Sequence, residues 1–519
     1  MSNTRTVARN SLWYGVETAF SIFAAIATSV LTVRTFGPEL LGYFYNLTFW
    51  TNVSGMLGSV GLAITTRKFM AEALGQGDRA LAFAIFRTAL RWQAWIMSAV
   101  VAVGIGLSLW LVREDFEATA IVLMLSAFPR VLNFIPSQAN MAAEDMKANV
   151  PGALAGGLIQ VGGTLVTLAV GWSLIGIAAA QLLGYTVEFV WKLRPLLAQA
   201  AEAGSAELPA GLLRRMRVFS TQGIGLTVLN LVVWDRSDVA LLRWFNPDIR
   251  QVTFFTLPLN LIERLLLAPQ TLSSAMGSTV MAEHGRDRAR VVSMTATSGV
   301  YLLLIAMPLL FGAAAVAGPI WAIYGKSVSA AIPVFMLMCV LAVPKALMMP
   351  AQNLLQAAEE QGRLLWWNCV CGVIKISLDV LLIPQWGAMG AAIGNGTAQA
   401  MAGVGVWWLC WRMFGVGMRW QALAGISFSS VAMAGSVWAL VNALRAWPWA
   451  GFLAGVPVGI VVFMALLRLT RTLRDEDRHR LTLVASGLPA TARPLFTRVL
   501  GLIVPPPKPV QPAGDPVTE

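Results

Sequence analysis

Charged side chains are scarce in this 519-residue chain: they make up 12% of the residues, while hydrophobic side chains make up 57%. An average soluble domain carries about 25% charged residues, so the composition excludes an ordinary soluble protein. Histidine and cysteine are rare as well, with two and four residues, and the cysteines all fall inside hydrophobic segments. A metal centre or histidine-based catalysis would have almost no suitable side chains. No loop is long enough for a soluble catalytic domain, so we expect no enzyme, no catalytic residue, no cofactor and no metal site.

Long hydrophobic segments are abundant instead. Fourteen of them reach the length of about 20 residues that an α-helix needs to cross a bilayer. Their approximate ranges are 11–33, 40–66, 86–112, 117–141, 151–171, 174–195, 216–243, 251–280, 292–317, 328–354, 364–384, 387–411, 420–443 and 449–468. The sequence therefore predicts an all-α polytopic membrane protein with about 14 transmembrane helices.

Lysine and arginine are unevenly distributed among the loops between these segments. Alternate loops, together with both ends of the chain, hold most of them, as in residues 67–91 and 214–217. Because cytoplasmic loops of membrane proteins are rich in Lys and Arg, we expect these loops and both termini in the cytoplasm. The formal net charge of +12 then reflects topology and attraction to anionic membrane lipids, and nucleic acid is not an expected partner.

Landmarks of the first half of the chain return in the same order in the second half. The clearest correspondence joins Pro129, Arg130 and Pro136 to Pro344, Lys345 and Pro350. The interval spans six predicted crossings, and because six is even, both copies have the same orientation and are related by an axis along the membrane normal. The sequence thus predicts two parallel six-helix bundles and two extra C-terminal helices. The expected boundaries are 1–198 for the N-terminal lobe, 199–215 for a cytoplasmic linker, 216–412 for the C-terminal lobe, 413–468 for helices 13 and 14, and 469–519 for a partly disordered cytoplasmic tail.

Ionisable side chains inside hydrophobic segments are the candidates for function, because each costs about 3 kcal/mol to insert. Arg130 and Lys345 lie deepest and match each other, which favours a cation facing a central cavity over a snorkelling or packing role. Arg264 is adjacent to Glu263 and cannot easily pair with it, so we expect Arg264 to face the cavity too. Further candidates lie in helices 1, 7 and 11: Glu17, Asp235, Arg236, Asp238, Lys375 and Asp379.

Two alternatives stay open for Lys375, since it lies four residues before Asp379 and the pair could neutralise itself on one helix face. The acids Glu17, Asp235, Asp238 and Glu263 could titrate or bind a cation, and they are the candidates for coupling to a proton or sodium gradient.

Four prolines accompany the two deepest cations. Pro129 and Pro344 lack an N–H and leave a carbonyl unpaired one turn earlier, and Pro136 and Pro350 follow in the same segments. We expect these segments to bend, and bendable helices with an interior cation suit a cavity that opens to alternate sides of the membrane.

Four stretches carry a resemblance to a known family. They are RTFGPELLG (Arg34–Gly42), RKFMAEALGQGD (Arg67–Asp78), WDRSDVALLRWF (Trp234–Phe245) and WAIYGKSVSAA (Trp321–Ala331). In their order and in the number of spans they resemble Wzx-type polysaccharide and O-antigen flippases, the polysaccharide transporters of the multidrug/oligosaccharidyl-lipid/polysaccharide exporter superfamily. The likeness covers roughly helices 1–12.

The resemblance implies two six-helix lobes around a central cavity and alternating access that moves a polyprenyl-diphosphate-linked oligosaccharide across the bacterial inner membrane. It implies that cavity cations bind the diphosphate, for which Arg130, Lys345 and Arg264 are the strongest candidates and Arg34, Arg236 and Lys375 the weaker ones. The implied partners are the lipid-linked glycan, membrane lipids, and the polymerase and glycosyltransferases of surface polysaccharide assembly.

Three other functions were weighed against this one. A cation-coupled multidrug exporter of the same superfamily would need a mainly acidic cavity, whereas the deepest charges here are basic. A lipid II flippase is a third transport function that the composition does not exclude. A membrane glycosyltransferase or polysaccharide polymerase is disfavoured, because it would need a large catalytic loop outside the cytoplasm.

Overall fold

The computed structural model describes residues 2–229, 237–273, 280, 288–473, 477 and 501, apart from 60, 144, 205, 268, 271, 274–279 and 359. For residues 2–19, 21, 146, 221–229 and 361 it describes the backbone only. Within these ranges the regular structure is helical and contains no strand, which confirms the predicted fold class. The α-helices are α1 (Ser2–Ser59), α2 (Leu62–Gly75), α3 (Arg79–Leu111), α4 (Glu114–Leu132), α5 (Phe134–Ala142), α6 (Asn149–Val170), α7 (Leu174–Glu202), α8 (Ala210–Leu229), α9 (Ser237–Phe245), α10 (Arg250–Leu265), α11 (Arg288–Ala315), α12 (Ala317–Tyr324), α13 (Ala331–Leu341), α14 (Val343–Ala357), α15 (Gln361–Trp386), α16 (Ala388–Phe414), α17 (Trp420–Ala443) and α18 (Pro448–Leu469).

Ten stretches of the described chain are helical, long and apolar enough to cross a membrane. Large apolar side chains cover their outer surfaces: Trp95, Trp110 and Val404, for example, are 78%, 80% and 66% exposed. Exposed apolar side chains of this kind fit a lipid environment, because contact with lipid does not disfavour apolar surface as contact with water does. The protein is therefore a multi-pass membrane protein.

Two predicted spans, 216–243 and 251–280, lie partly outside the described residues, and α16 fills the range predicted at 387–411.

The first long helix, α1, contains a break that separates the first two predicted spans. Gly37 has φ 71° and ψ 176°, and Pro38 follows it. Those angles belong to a region of backbone space that essentially only glycine occupies. Beyond the break, Pro38 O accepts a hydrogen bond from Thr253 Oγ1 at 2.6 Å, which fixes the second part of α1 against α10.

Helices α4 and α5, and likewise α13 and α14, occupy single predicted spans that are interrupted. The first interruption is at Asn133, four residues after Pro129, and the second is at Ala342, two residues before Pro344. Pro344 stands in the first turn of α14, where a missing N–H costs nothing. Asn133 and Ala342 keep right-handed helical backbone angles, so both proline-containing segments are locally irregular, at different places relative to the proline. Whether these prolines act as hinges stays a prediction.

The chain forms two compact units. The first comprises Met1–Arg264, Trp321–Leu341 and Gln361–Ala402, and the second comprises Leu265–Ile320, Ala342–Glu360 and Gly403–Glu519. In the first unit, one apolar core joins α2, α3, α5 and α7 around Phe83 and Phe86. In the second, α11, α17 and α18 pack around Ile426 and Leu467. The lobe boundaries expected from the repeat stay a prediction.

Helices α6 and α7 pack closely through glycines. A methyl group at Gly156 would lie 2.7 Å from Gly184 O, and one at Gly163 would lie 2.6 Å from Ala180 Cβ. Small residues allow helix backbones to approach each other in membranes. Helices α6 and α7 also carry several of the polar residues that line the cavity described below.

Candidate substrate cavity

A polar cavity of about 270 Å³ lies within the first unit. Six helices contribute to it: α1, α4, α6, α7, α10 and α12. Its lining residues are Ala25, Ile26, Thr28, Ser29, Thr32, Leu41, Phe44, Tyr45, Thr48, Asn52, Arg130, Gln160, Ile177, Gln181, Tyr185, Leu257, Asn260, Leu261, Arg264 and Tyr324. Two of the predicted cavity cations, Arg130 and Arg264, are therefore brought together in one cavity by helices distant in sequence.

Arg130 lies in the last turn of α4 and is half-buried. Its Nη2 donates a hydrogen bond to Asn52 Oδ1 at 2.5 Å, and its guanidinium carbon lies 5.9 Å from the centre of the Tyr185 ring. An aromatic face attracts a cation at that distance. These two neighbours hold the guanidinium at the cavity wall without neutralising its charge, because neither carries a negative charge.

Arg264 approaches the cavity from the last turn of α10. Its side chain is exposed, and within the described part of the chain no hydrogen-bond or ion-pair partner contacts it. The neighbouring Glu263 is half-buried and is not among the lining residues. Arg264 therefore offers an unneutralised guanidinium to whatever enters the cavity.

The start of α10 is fixed by Asp248, which positions the helix that carries Arg264. Asp248 Oδ1 accepts hydrogen bonds from Arg250 N at 3.1 Å and Arg250 Nε at 2.8 Å. The side-chain hydrogen bond from the Arg250 guanidinium lowers the pKa of the Asp248 carboxyl below its usual value. A negative charge at a helix N-terminus is favourable, so this ion pair stabilises the beginning of α10.

The remaining polar groups of the lining are hydroxyls and amides. Three are tyrosines and four are Asn or Gln side chains, and Thr48 Oγ1 is buried with no hydrogen-bond partner among the described residues. No carboxylate is found among the described lining residues. The cavity can therefore bind an anion through its two guanidinium groups and hydrogen-bond to a molecule rich in hydroxyl groups.

Helical periodicity in the sequence carries a signal for these neutral residues. Tyr45, Thr48 and Asn52 are three and four residues apart on α1, as Gln181 and Tyr185 are four apart on α7. Residues with this spacing lie on one face of a helix. A polar stripe inside an apolar segment would have identified this face before the structure was known.

Arg34, a weaker candidate, lies next to the cavity but does not line it. Its Nε donates to Ile323 O at 2.6 Å and its Nη2 donates to Ala322 O at 3.4 Å. These carbonyls belong to the last turn of α12, which ends at Tyr324, a cavity residue. Cations favour helix C-termini, so Arg34 holds the end of α12 in place.

Lys375 lies in a buried ion network of the first unit. Its Nζ donates to Asp238 Oδ1 at 2.9 Å, to Asp379 Oδ2 at 3.0 Å and to Ser237 Oγ at 2.9 Å. Asn395 Nδ2 donates to Asp238 Oδ2 at 3.1 Å. The side chains of Lys375, Asp238 and Asp379 are all 0% exposed, and none of them lines the cavity. The network joins α9, α15 and α16.

The other candidates are distributed as follows. Lys345 belongs to the second unit, where it is half-buried in the first turn of α14 and is not among the residues that line this cavity. The side chains of Glu17, Asp235 and Arg236 lie outside the described residues. The roles assigned to these four residues stay predictions.

Comparison with known proteins relates the chain to solved structures. No protein-family model and no curated protein sequence matches it. The lipid II flippase MurJ, in an inward closed conformation, superposes with a TM-score of 0.67 at 13% identity, over 88% of this chain and 98% of that one.

Two transporters of the MOP superfamily give similar superpositions. A multidrug resistance MATE family transporter in an inward-facing conformation has a TM-score of 0.66 at 15% identity, over 76% of this chain and 95% of that one. A transporter from Pyrococcus furiosus has a TM-score of 0.60 at 14% identity, over 79% of this chain and 96% of that one, and is described as having a binding pocket of reverse polarity that suggests a different function. The chain thus has the all-helical fold of MOP-superfamily flippases and transporters.

Proposed function

We propose that the protein is a flippase that translocates a polyprenyl-diphosphate-linked oligosaccharide across the bacterial inner membrane for surface polysaccharide assembly. The observation that carries the proposal is the cavity in the first unit, which combines Arg130 and Arg264 with a hydroxyl- and amide-rich wall and no described carboxylate. A diphosphate needs paired cationic donors in a shielded place, and a sugar needs many neutral donors and acceptors.

The polarity of this cavity argues against a cationic drug as the substrate. Two guanidinium groups with no described carboxylate would repel a cation. A transporter of the same superfamily fold is described as having a pocket of reverse polarity and a different function, so a change of cavity charge within one fold has a precedent. The lipid II flippase that superposes on this chain supports a lipid-linked substrate, and lipid II itself stays the second candidate.

Alternating access follows as the mechanism we propose, with the irregular, proline-containing segments α4–α5 and α13–α14 as the bending elements. Both termini would lie in the cytoplasm. Membrane glycosyltransferases would supply the lipid-linked glycan that the protein moves, and a polymerase would receive it on the other side. Coupling to a proton or sodium gradient would use the acids Glu17, Asp235, Asp238 or Glu263.

The binding step is tested with geranylgeranyl-diphosphate-linked N-acetylglucosamine as the probe and the purified full-length protein. Arg130→Gln and Arg264→Gln each remove one charge-assisted contact, worth about 1.5–3 kcal/mol, so the probe's Kd should rise about 10- to 100-fold for each variant. Arg445→Gln, an exposed arginine that does not line the cavity, is the matched control and should bind as the unaltered protein does.

Translocation is tested in proteoliposomes, with the same probe and with lipid II as separate substrates. Transfer should stop in Arg130→Glu and Arg264→Glu and persist in Arg445→Glu. Full transfer by both cavity variants would refute the cationic site, and transfer of lipid II alone would assign the second candidate. A protein that moves neither lipid but exports a cationic dye would be a drug exporter.

A further inference from the structure

A second cavity lies in the first unit where α2 and α8 meet, with a volume of about 310 Å³. Its lining residues are Lys68, Phe69, Gly211, Arg214, Arg215, Val218 and Phe219. Three of the seven are cations and none is an acid. The proposed function does not involve this cavity.

The cations of this cavity are arranged over aromatic rings. Lys68 Nζ lies 4.3 Å from the centre of the Phe219 ring, and the Arg215 guanidinium carbon lies 5.4 Å from the centre of the Phe69 ring. The rings pack against these long side chains. They do not occupy the N–H donors of the ammonium and guanidinium groups. Arg215 also faces Glu72, but at 3.7 Å and with both side chains at least 41% exposed. Such a pair is weak and can give way to a ligand.

Both helices change from apolar to basic at this cavity within one turn. Ile64 and Val218 are 64% and 48% exposed; Ile64 lies four residues before Lys68, and Val218 four residues after Arg214. Four residues correspond to about 6 Å along a helix axis. An exposed aliphatic surface that turns basic over that distance marks the boundary between the hydrocarbon and the headgroup layer, where basic pockets between helices bind anionic lipid headgroups.

We infer that this cavity binds the phosphate headgroup of an anionic membrane phospholipid, with Lys68, Arg214 and Arg215 as the donors. The lipid's acyl chains would extend along the exposed faces that carry Ile64 and Val218. A soluble anion would gain nothing from those apolar side chains, which is why a lipid rather than free phosphate is the assigned ligand.

The experiment measures binding of a tail-labelled fluorescent cardiolipin to the full-length protein in a zwitterionic detergent, with phosphatidylcholine of the same chains as the reference lipid. The triple variant Lys68→Gln, Arg214→Gln, Arg215→Gln should weaken cardiolipin binding about 100-fold, at roughly one kcal/mol per cation near a membrane surface. Phosphatidylcholine binding should not change.

The matched control removes three exposed cations that do not line the cavity, through Arg79→Gln, Arg91→Gln and Arg412→Gln. Its affinity for cardiolipin should stay within about threefold of the unaltered protein, as expected for a ligand held at one site. If the triple variant is aggregated on size exclusion, Lys68→Gln and Arg215→Gln tested singly should each weaken binding about fivefold.

Three outcomes would overturn the inference. One is unchanged cardiolipin binding by the variants of the cavity. Another is an equal loss in the control, which would make the attraction a property of overall charge. The third is displacement of cardiolipin by inorganic pyrophosphate at a concentration as low as that of the lipid itself, which would make the cavity a site for soluble phosphates. Because none of the altered residues lines the proposed substrate cavity, failure here leaves the proposed function untouched.

Discussion

Among single residues, Lys375 has the environment with the clearest consequence for stability. Its ammonium group contacts two buried carboxylates, and removing it would leave Asp238 and Asp379 as neighbouring negative charges without a counter-ion. Breaking a buried pair in this way costs about 3–5 kcal/mol. We therefore expect Lys375→Met to lower the thermal unfolding temperature in detergent strongly and to reduce the yield of monodisperse protein on size exclusion.

Two companion variants separate charge from packing at this network. The combination Lys375→Met, Asp238→Asn, Asp379→Asn removes all three charges together and should recover much of the lost stability, since a buried ion network often adds little net stability over a neutral one. Lys326→Met alters an exposed lysine and should be neutral. If the Lys375→Met protein were as stable as the original, Asp238 and Asp379 would not need the positive charge of Lys375, which would contradict this expectation.

The sequence predicted some of these residue environments and not others. The pairing of Lys375 with Asp379 follows from a four-residue spacing, which any helix brings onto one face. Asp238 and Asn395 complete the network from other helices, and no local rule places them there. For the cavity, the cost of burying charge pointed to Arg130 and Arg264, whereas the neutral Asn52 and Tyr185 are marked only by the polar stripes of their helices.

At the level of elements, the break in α1 depends on one glycine. Gly37 has a positive φ and nothing would lie within 4 Å of an added methyl group there, so Gly37→Ala would be penalised by backbone strain alone. We expect it to destabilise the protein by about 1–3 kcal/mol, seen as a lower thermal unfolding temperature in detergent.

Gly106 offers a matched control for this substitution. It lies inside α3 without a positive φ, and nothing would lie within 4 Å of its added methyl group either. Gly106→Ala should therefore be neutral or slightly stabilising, because alanine favours the helical backbone. Equal effects of the two alanine variants would show that the break in α1 does not require the angles of Gly37.

The sequence predicts where helices occur better than where they are interrupted. Apolar length alone located the described membrane-spanning stretches, whereas the bending expected at the prolines stays a prediction. The observed irregularities are at Asn133 and Ala342, after one proline and before the other. A proline removes one hydrogen bond, but packing against other helices decides where the helix becomes irregular. Those packing partners are distant in sequence.

At the scale of the whole molecule, the distribution of charge connects the topology with both cavities. Basic residues at the helix ends would set the orientation, and the same residues at α2 and α8 line the proposed lipid cavity. If these ends lie in the cytoplasm, the proposed lipid site faces the inner leaflet. A reversed orientation would place it in the opposite leaflet, so the topology decides which lipids it meets.

The topology is testable by labelling single cysteines with a membrane-impermeant maleimide in a protein whose exposed Cys369 is replaced by serine. Asp115→Cys lies at the start of α4, where the native side chain is 72% exposed, and should react in intact spheroplasts. Glu202→Cys at the end of α7 should react only after permeabilisation, since the basic residues Arg214 and Arg215 follow twelve and thirteen residues later, just before the seventh predicted span. Labelling of Glu202→Cys in intact spheroplasts would reverse the orientation and, with it, the direction in which we propose the lipid-linked glycan to be moved.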